Sequence, residues 1–295
     1  MTALSPALLL PNTHIYLSPH LDDAVLSCGG QIAQLVRSRQ RVRVVTIFAG
    51  DVPADAANTV FVRELHTRWG LGENPPALRR AEDLAALKTL GVRAQDVVHL
   101  SFSDCVYRLG RMGAPLYPTR DAIFGDVAEV EAPLIDEIAQ AFERLNLPKD
   151  GKVYLPLTAG HHVDHQIVRA GGERWIKHLH CAQAQVSQIS TPRKNGGQAL
   201  KCQWAYYEEY PYAEKPEEVS VALRGQGLEP ALIELNEAAL AAKIAAIACY
   251  RSQLSSFYAD EAEMVARVRS YAQVIGAGRP TERLWHKGHA AQGSL

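Results

Sequence analysis

The feature that most limits the fold is an alternation near the start of the chain. A short apolar, β-rich run, His14–Ser18 (HIYLS), feeds directly into a helical pattern, and that leads to a second run of the buried kind, Val42–Phe48 (VRVVTIF). Between them Val25, Cys28, Ile32 and Leu35 recur at steps of three and four, one face of a helix. Strand, helix and strand in this order imply a parallel pair, because parallel neighbours need a crossover between them. The pattern repeats. PALRRAEDLAALKTL, from Pro76 to Leu90, is rich in helix formers, ends at Gly91 as a C-cap and precedes a third strand over Asp96–Leu100. A helix over about Ala132–Leu145 leads through Pro148 and Gly151 to a fourth strand, Lys152–Leu155, then to a histidine-rich turn and a helix reaching about His178. Four β–α steps predict an α/β fold: a Rossmann-like, doubly wound, mostly parallel sheet with flanking helices.

The chain then changes character. Ser187–Gln198 (SQISTPRKNGGQ) is polar and rich in turn residues, which predicts a mobile loop over 187–200, and Lys201–Glu208 reads as one more strand. Ile233, Leu240, Ile244 and Ile247 recur at steps of seven, four and three, the mark of a covering helix, with another expected over about Asp260–Val274. Residues 231–278 are therefore expected as a helical C-terminal elaboration, and 1–295 as one domain without internal repeats.

Composition excludes several functions. With 47% hydrophobic and 21% charged residues among 295, the chain buries a core and is neither disordered nor a coiled-coil rod. Its 31 Lys and Arg against 32 Asp and Glu leave a formal charge of -1, so no summed field draws in nucleic acid. Cys28, Cys105, Cys181, Cys202 and Cys249 are odd in number and form no C-x-x-C pair, which argues against a disulfide framework and for a reducing cytoplasm. The opening MTALSPALLLPNTH has no positive n-region, and no later stretch reaches the ~18 apolar residues of a membrane span. The expectation is a cytoplasmic protein without a membrane partner.

In open α/β sheets ligands collect beyond the carboxyl ends of the strands, and two polar clusters fall there. Ser18-Pro19-His20-Leu21-Asp22-Asp23 follows the first strand, and His161-His162-Val163-Asp164-His165 follows the fourth. A catalytic zinc ion takes three ligands from His, Asp or Glu and keeps a fourth position open; His20, Asp23 and His165 can supply that set. Adjacent Asp22 and Asp23 at a helix start point in different directions, so one can bind metal while the other faces water. Each cluster also has a plainer reading. Asp22 and Asp23 suit an N-cap and a first-turn acid, and the histidines suit an exposed polar turn or a core contact.

The pair SPHLDDAVLSCGG and GHHVDHQ resembles the PIG-L, or LmbE-like, family of zinc-dependent N-deacetylases of N-acetylglucosamine-containing molecules, over most of residues 14 to 180. The resemblance implies zinc ligands at His20, Asp23 and His165 and a general base at Asp22. It puts at His162 a residue that steadies the tetrahedral intermediate or protonates the leaving amine, with Asp164 holding that ring through its N–H. Three departures stand out: Leu21 and Ala24 replace the family's usual Pro and Glu, and Gly160 stands where some members carry a Tyr. The helix LRRAEDLAALKTLGV places Arg79 where the family has a substrate-contacting Arg, with Glu82 one turn on; an i, i+3 ion pair is the alternative. Asp104 resembles an acid that takes sugar hydroxyls, or is an ordinary turn residue, and Asp51 is a weaker candidate. Tyr206, Tyr207, Tyr210 and Tyr212 can line a sugar site or pack in the core.

The implied activity is hydrolysis of an N-acetyl, or other N-acyl, group on an N-acetylglucosamine-type conjugate, a small-molecule substrate. A sugar-binding protein of the same fold and a zinc hydrolase of another amide or ester fit the same residues. A two-His, one-Asp site also accepts iron(II), cobalt or manganese. A homo-oligomer is compatible with this reading.

Overall fold

A computed structural model describes residues 13–70, 74–148, 151–189 and 203–288, the side chains of 182–189 excepted. The first half runs β1 (Thr13–Ser18), α1 (Asp23–Arg37), β2 (Arg41–Thr46), α2 (Val60–Trp69), α3 (Pro75–Thr89), β3 (Val97–His99), a short α4 (Arg120–Ile123) and α5 (Ala132–Arg144). The second half runs β4 (Lys152–Pro156), α6 (Val163–Ile189), β5 (Gln203–Tyr207), α7 (Pro216–Leu223), β6 (Leu228–Glu234), α8 (Glu237–Ile247), α9 (Arg251–Phe257), α10 (Glu261–Ile275) and β7 (Thr281–Lys287).

The strands form one seven-stranded sheet in the order β3-β2-β1-β4-β5-β7-β6. β1 to β5 pair in parallel, and β7 runs antiparallel to both β5 and β6. The chain winds outward from β1 to β3, then returns to lay β4 on the other side of β1. That reversal leaves a crevice beyond the carboxyl ends of β1 and β4. The central strands are apolar on both faces because both are covered. Tyr16 and Val44 face a cluster with Val25 and Ile32 of α1, Leu87 of α3 and Leu240 of α8. Ile15, Leu17 and Val45 face Phe142 of α5 and Ile167 and Trp175 of α6.

The paired glycines of α1 serve packing. A Cβ on Gly30 would sit 2.4 Å from Leu235 Cδ1, so only glycine lets the segment before α8 lie so close. There the N–H groups of Gly30 and Gln31 donate to the Glu282 carboxylate at 2.9 and 2.8 Å. Lys243 Nζ donates to the same carboxylate at 2.8 Å and to Ser27 O at 3.2 Å, so a buried ion pair joins α1, α8 and β7.

The doubly wound, mostly parallel sheet is as the sequence predicts, with three differences. Ile233 belongs to β6, not to a covering helix: residues 228–234 pair along β7, and Asn236 caps α8 by accepting the Ala239 N–H at 2.8 Å. The helical elaboration expected over 231–278 therefore begins with a strand. Residues 187–189, expected as loop, continue α6, while 190–200 lie outside the described residues. α2 is a helix that the sequence reading does not include, although Thr59 caps it and Phe61, Leu65 and Trp69 recur at steps of four. No helix among the described residues is long and apolar enough to cross a membrane.

Replacing Glu282 with Ala strands the Lys243 ammonium and two backbone N–H groups in the interior. Loss of one partner of a buried pair costs about 3–5 kcal/mol. Urea denaturation of Glu282→Ala is expected to show a fall of that size, with the slope unchanged.

Candidate functional site

The turn after β1 is held by its own side chains. Ser18 Oγ donates to His20 O at 2.8 Å and accepts the Ala24 N–H at 3.0 Å. Asp22 stands at the N-cap position of α1, yet its side chain makes no capping hydrogen bond; the carboxylate lines a cavity and lies 3.6 Å from Arg79 Nη2. Asp23 turns the other way. Its Oδ2 accepts the His20 N–H at 2.7 Å and lies 3.2 Å from His20 Nδ1 and 3.4 Å from His165 Nε2.

His165 arrives from the turn between β4 and α6, where Thr158, Gly160 and His161 all take left-handed backbone conformations. Glu209, just past β5, braces this turn by accepting the Thr158 and Ala159 N–H groups at 2.6 and 3.0 Å, and it meets His165 Nδ1 at 3.2 Å. On the β1 side Asp164 Oδ2 lies 2.9 Å from His20 Nε2 and accepts the Cys105 N–H at 3.0 Å. Arg108 backs Asp164, with Nη1 2.6 Å from Oδ1, and its Nε lies 2.5 Å from Glu131 Oε1. His20 and His165 thus each face Asp23 with one nitrogen and an outer carboxylate with the other, and an outer carboxylate of this kind orients a histidine toward a metal.

The side chains fit a divalent ion. His165 Nε2 is buried and has no hydrogen-bond partner, although a carboxylate oxygen and a second imidazole stand beside it. His20, Asp23 and His165 are the donor types of a two-His, one-carboxylate centre. The ligand atoms of His20, His162 and His165 also lie within 4.8 Å of one another, so His162 adjoins the same point.

Electrostatics separates the roles. Burial pushes the Asp22 carboxyl up, against the pull of Arg79, to about 6. Burial would also raise Asp23, but the imidazoles of His165 and His20 hold it well below the usual carboxylate range. Burial would lower His165, yet Asp23 and Glu209 bring it to about 9, and hydrogen bonds to Asp164 and Asp23 likewise raise His20. Burial and the two neighbouring imidazoles lower His162, which is therefore neutral. Two positive imidazoles around one carboxylate carry the charge that a divalent cation would replace, with release of their protons.

The cavity above the cluster has a volume of about 590 Å³ and is lined by Asp22, His20, His162, Arg79 and Asp104. Arg79 is buried, lies over the Trp69 ring at 5.1 Å, and its Nε lacks a hydrogen-bond partner. It does not pair with Glu82, which instead takes the Ser252 N–H and hydroxyl. Asp104 accepts the Val106 N–H at 3.2 Å as a turn residue does, and its other oxygen lies 3.8 Å from His20 Nε2. Asp51 lies apart from the site, exposed and bonded to Arg80 and Asn74.

One expected role needs correction. The Asp164 carboxylate holds His20 rather than His162, because Arg108 and the Cys105 N–H draw it toward the β1 side. Its backbone N–H, not its side chain, meets His162 Nδ1 at 3.2 Å. Glu209, Arg108 and Glu131 escaped the sequence reading. No local pattern marks them, since their partners are remote in the chain.

Fold and site together define a Rossmann-like α/β protein with a buried His/Asp cluster at the switch point of its sheet. The chain belongs to the PIG-L family: the family model described as GlcNAc-PI de-N-acetylase matches residues 15–176. It is 25% identical over 271 residues to the 2'-N-acetylparomamine deacetylase of Niallia circulans, covering 84% of this chain and 83% of that protein. The fold is shared with the zinc-inhibited form of teicoplanin deacetylase Orf2, with a TM-score of 0.75, 24% identity, and 92% and 97% of the two chains covered. The A40926 pseudoaglycone deacetylase Dbv21 superposes with a TM-score of 0.65 at 25% identity, over 94% of this chain and 97% of that one.

If Glu209 orients His165, Glu209→Gln is expected to weaken divalent metal affinity by about 10- to 100-fold, as for other partners of metal-binding histidines. Competition with a chromogenic chelator measures it.

Proposed function

We propose that this chain is a metal-dependent hydrolase that removes the N-acetyl group from an N-acetylglucosamine-type sugar conjugate, with residues 1–295 acting as one catalytic domain. The observation that carries the reading is Asp22. Its carboxylate caps nothing, although it occupies a capping position, and it is buried and lines the cavity together with His20 and His162. The family membership and the deacetylase relatives support the same reaction class.

His20, Asp23 and His165 would hold the ion, and zinc suits this donor set, with iron(II), cobalt and manganese as alternatives. Once bound, such an ion polarises the amide carbonyl and acidifies water. Asp22 accepts the proton of the attacking water, and its position near 6 lets it be ionised at neutral pH yet hold that proton afterwards. His162 Nδ1 accepts the Asp164 N–H, which leaves the hydrogen of the neutral ring on Nε2, free to donate to the oxygen that gains charge. Protonated Asp22 then returns its proton to the departing amine, so water and amide give acetate and a free amino sugar. Arg79, with unspent donors in the cavity, and Asp104, at its wall, are placed to take sugar oxygens. Ala24 carries no side chain for this work and packs in the core, so Arg79 is the side chain that partners Asp22.

Asp22→Asn is expected to keep the metal, measured by elemental analysis, while amine release falls about 10²- to 10⁴-fold. Full activity in that variant would remove Asp22 from the mechanism. The base must be ionised to act, so kcat/KM is expected to fall as acid protonates Asp22, with the limb at or below about pH 6. A profile flat to pH 4 would contradict the assignment.

A further inference from the structure

The wall of the cavity next to the histidines is aromatic. Phe124, which follows α4, stands edge-on to the His162 ring with centroids 5.3 Å apart. Tyr212 packs edge-on to Phe124 at 5.6 Å and lies 6.0 Å from the His165 ring. Both line the cavity together with His20, Asp22 and His162.

The wall is held in place from behind. The Gln166 side-chain amide donates to Gly125 O at 2.8 Å and to His161 O at 2.7 Å, tying the segment that carries Phe124 to the segment that carries His162. Tyr212 rests on Gly160. A Cβ there would lie 2.7 Å from Tyr212 Cγ, and the backbone φ of +85° already disfavours a side chain. The glycine thus makes room for the tyrosine ring.

We propose that Phe124 and Tyr212 are the acyl-selecting residues, an aromatic wall that takes the methyl of an acetyl group and excludes longer acyl chains. The inference rests on the deacetylase reading above. The scissile carbonyl has to reach the histidine cluster and Asp22, so the carbon beyond it must lie against whatever surrounds the histidines. That group is apolar and unable to hydrogen-bond, and the aromatic cavity surface that adjoins the histidine rings is Phe124 and Tyr212. A methyl fits against them. Each added methylene must displace a ring fixed by packing and by Gln166, and one methylene in such a pocket changes rates by about 10- to 200-fold.

The test is kcat/KM for release of amine from N-acetyl-, N-propionyl-, N-butyryl- and N-hexanoylglucosamine, with metal content measured in parallel. The wild type is expected to favour acetyl over hexanoyl by at least ~10-fold. Phe124→Ala and Tyr212→Ala should each shrink that preference about tenfold or more at unchanged metal content, while Tyr212→Phe, which keeps the ring, should preserve it. Phe124→Leu serves if the alanine variant does not fold. A chain-length ratio is insensitive to general damage, which lowers all four rates together. Equal wild-type rates on acetyl and hexanoyl, or an unchanged ratio in both alanine variants, would overturn the proposal and leave the deacetylase reading standing. Absence of amine release from all four substrates would instead overturn that reading, and this inference with it.

Discussion

The site depends on one carboxylate. Asp23 Oδ2 holds the His20 N–H and stands between His20 Nδ1 and His165 Nε2, so it joins two turns separated by well over a hundred residues. That contact is possible only because β1 and β4 are neighbours in the sheet, with their carboxyl ends on the same edge. A buried carboxylate is costly without partners, and a buried imidazolium equally so. Each therefore needs the other in place, and the outer acids Asp164 and Glu209 complete the balance. The charge continues outward through Arg108 to Glu131 and Tyr117, whose hydroxyl donates to Glu131 at 2.5 Å. The cluster is held in shape by a network rather than by any single bond, which is what a preorganised site requires.

How much of this is legible in the sequence follows from the range of each interaction. β1, α1, β4 and the start of α6 are set by local periodicity and turn chemistry, and His20, Asp22, Asp23, His162 and His165 sit at strand ends that the same local signals define. Glu209 offers no such signal: in the run Tyr207-Glu208-Glu209-Tyr210 nothing separates the acid that braces His165 from Glu208, which binds Arg283 and Trp285. Arg108 and Glu131 come from short 3-10 turns, and only the folded chain brings them together. Ile233 shows the opposite failure, a helical spacing produced by residues of two different elements. The direction of the Asp164 carboxylate is not legible locally, because the group that turns it, Arg108, lies outside its own turn.

The two ends of the cavity have different origins. The histidine end comes from the segments that follow the neighbouring strands β1 and β4. The remainder of the wall comes from segments outside it: Phe61, Leu65 and Trp69 of α2, Phe124 after α4, Tyr212 before α7 and Phe257 of α9. Such segments can change without disturbing β1 or β4, so the wall of the cavity can vary while its histidine end stays the same. Family membership therefore speaks to the fold and the histidine end of the cavity more directly than to the molecule the cavity takes.

Arg79 links the two ends. Burial raises the Asp22 carboxyl and the Arg79 guanidinium lowers it, so the basicity of Asp22 is a balance between these opposing effects. At 3.6 Å the guanidinium is close enough to stabilise the carboxylate without a hydrogen bond to fix it there, and its Nε remains unpartnered. A substrate oxygen that engaged Arg79 would draw positive charge from Asp22 at the moment the cavity filled and water left. Both changes raise the proton affinity of Asp22. Filling the cavity would thus raise the basicity of that carboxylate through both effects.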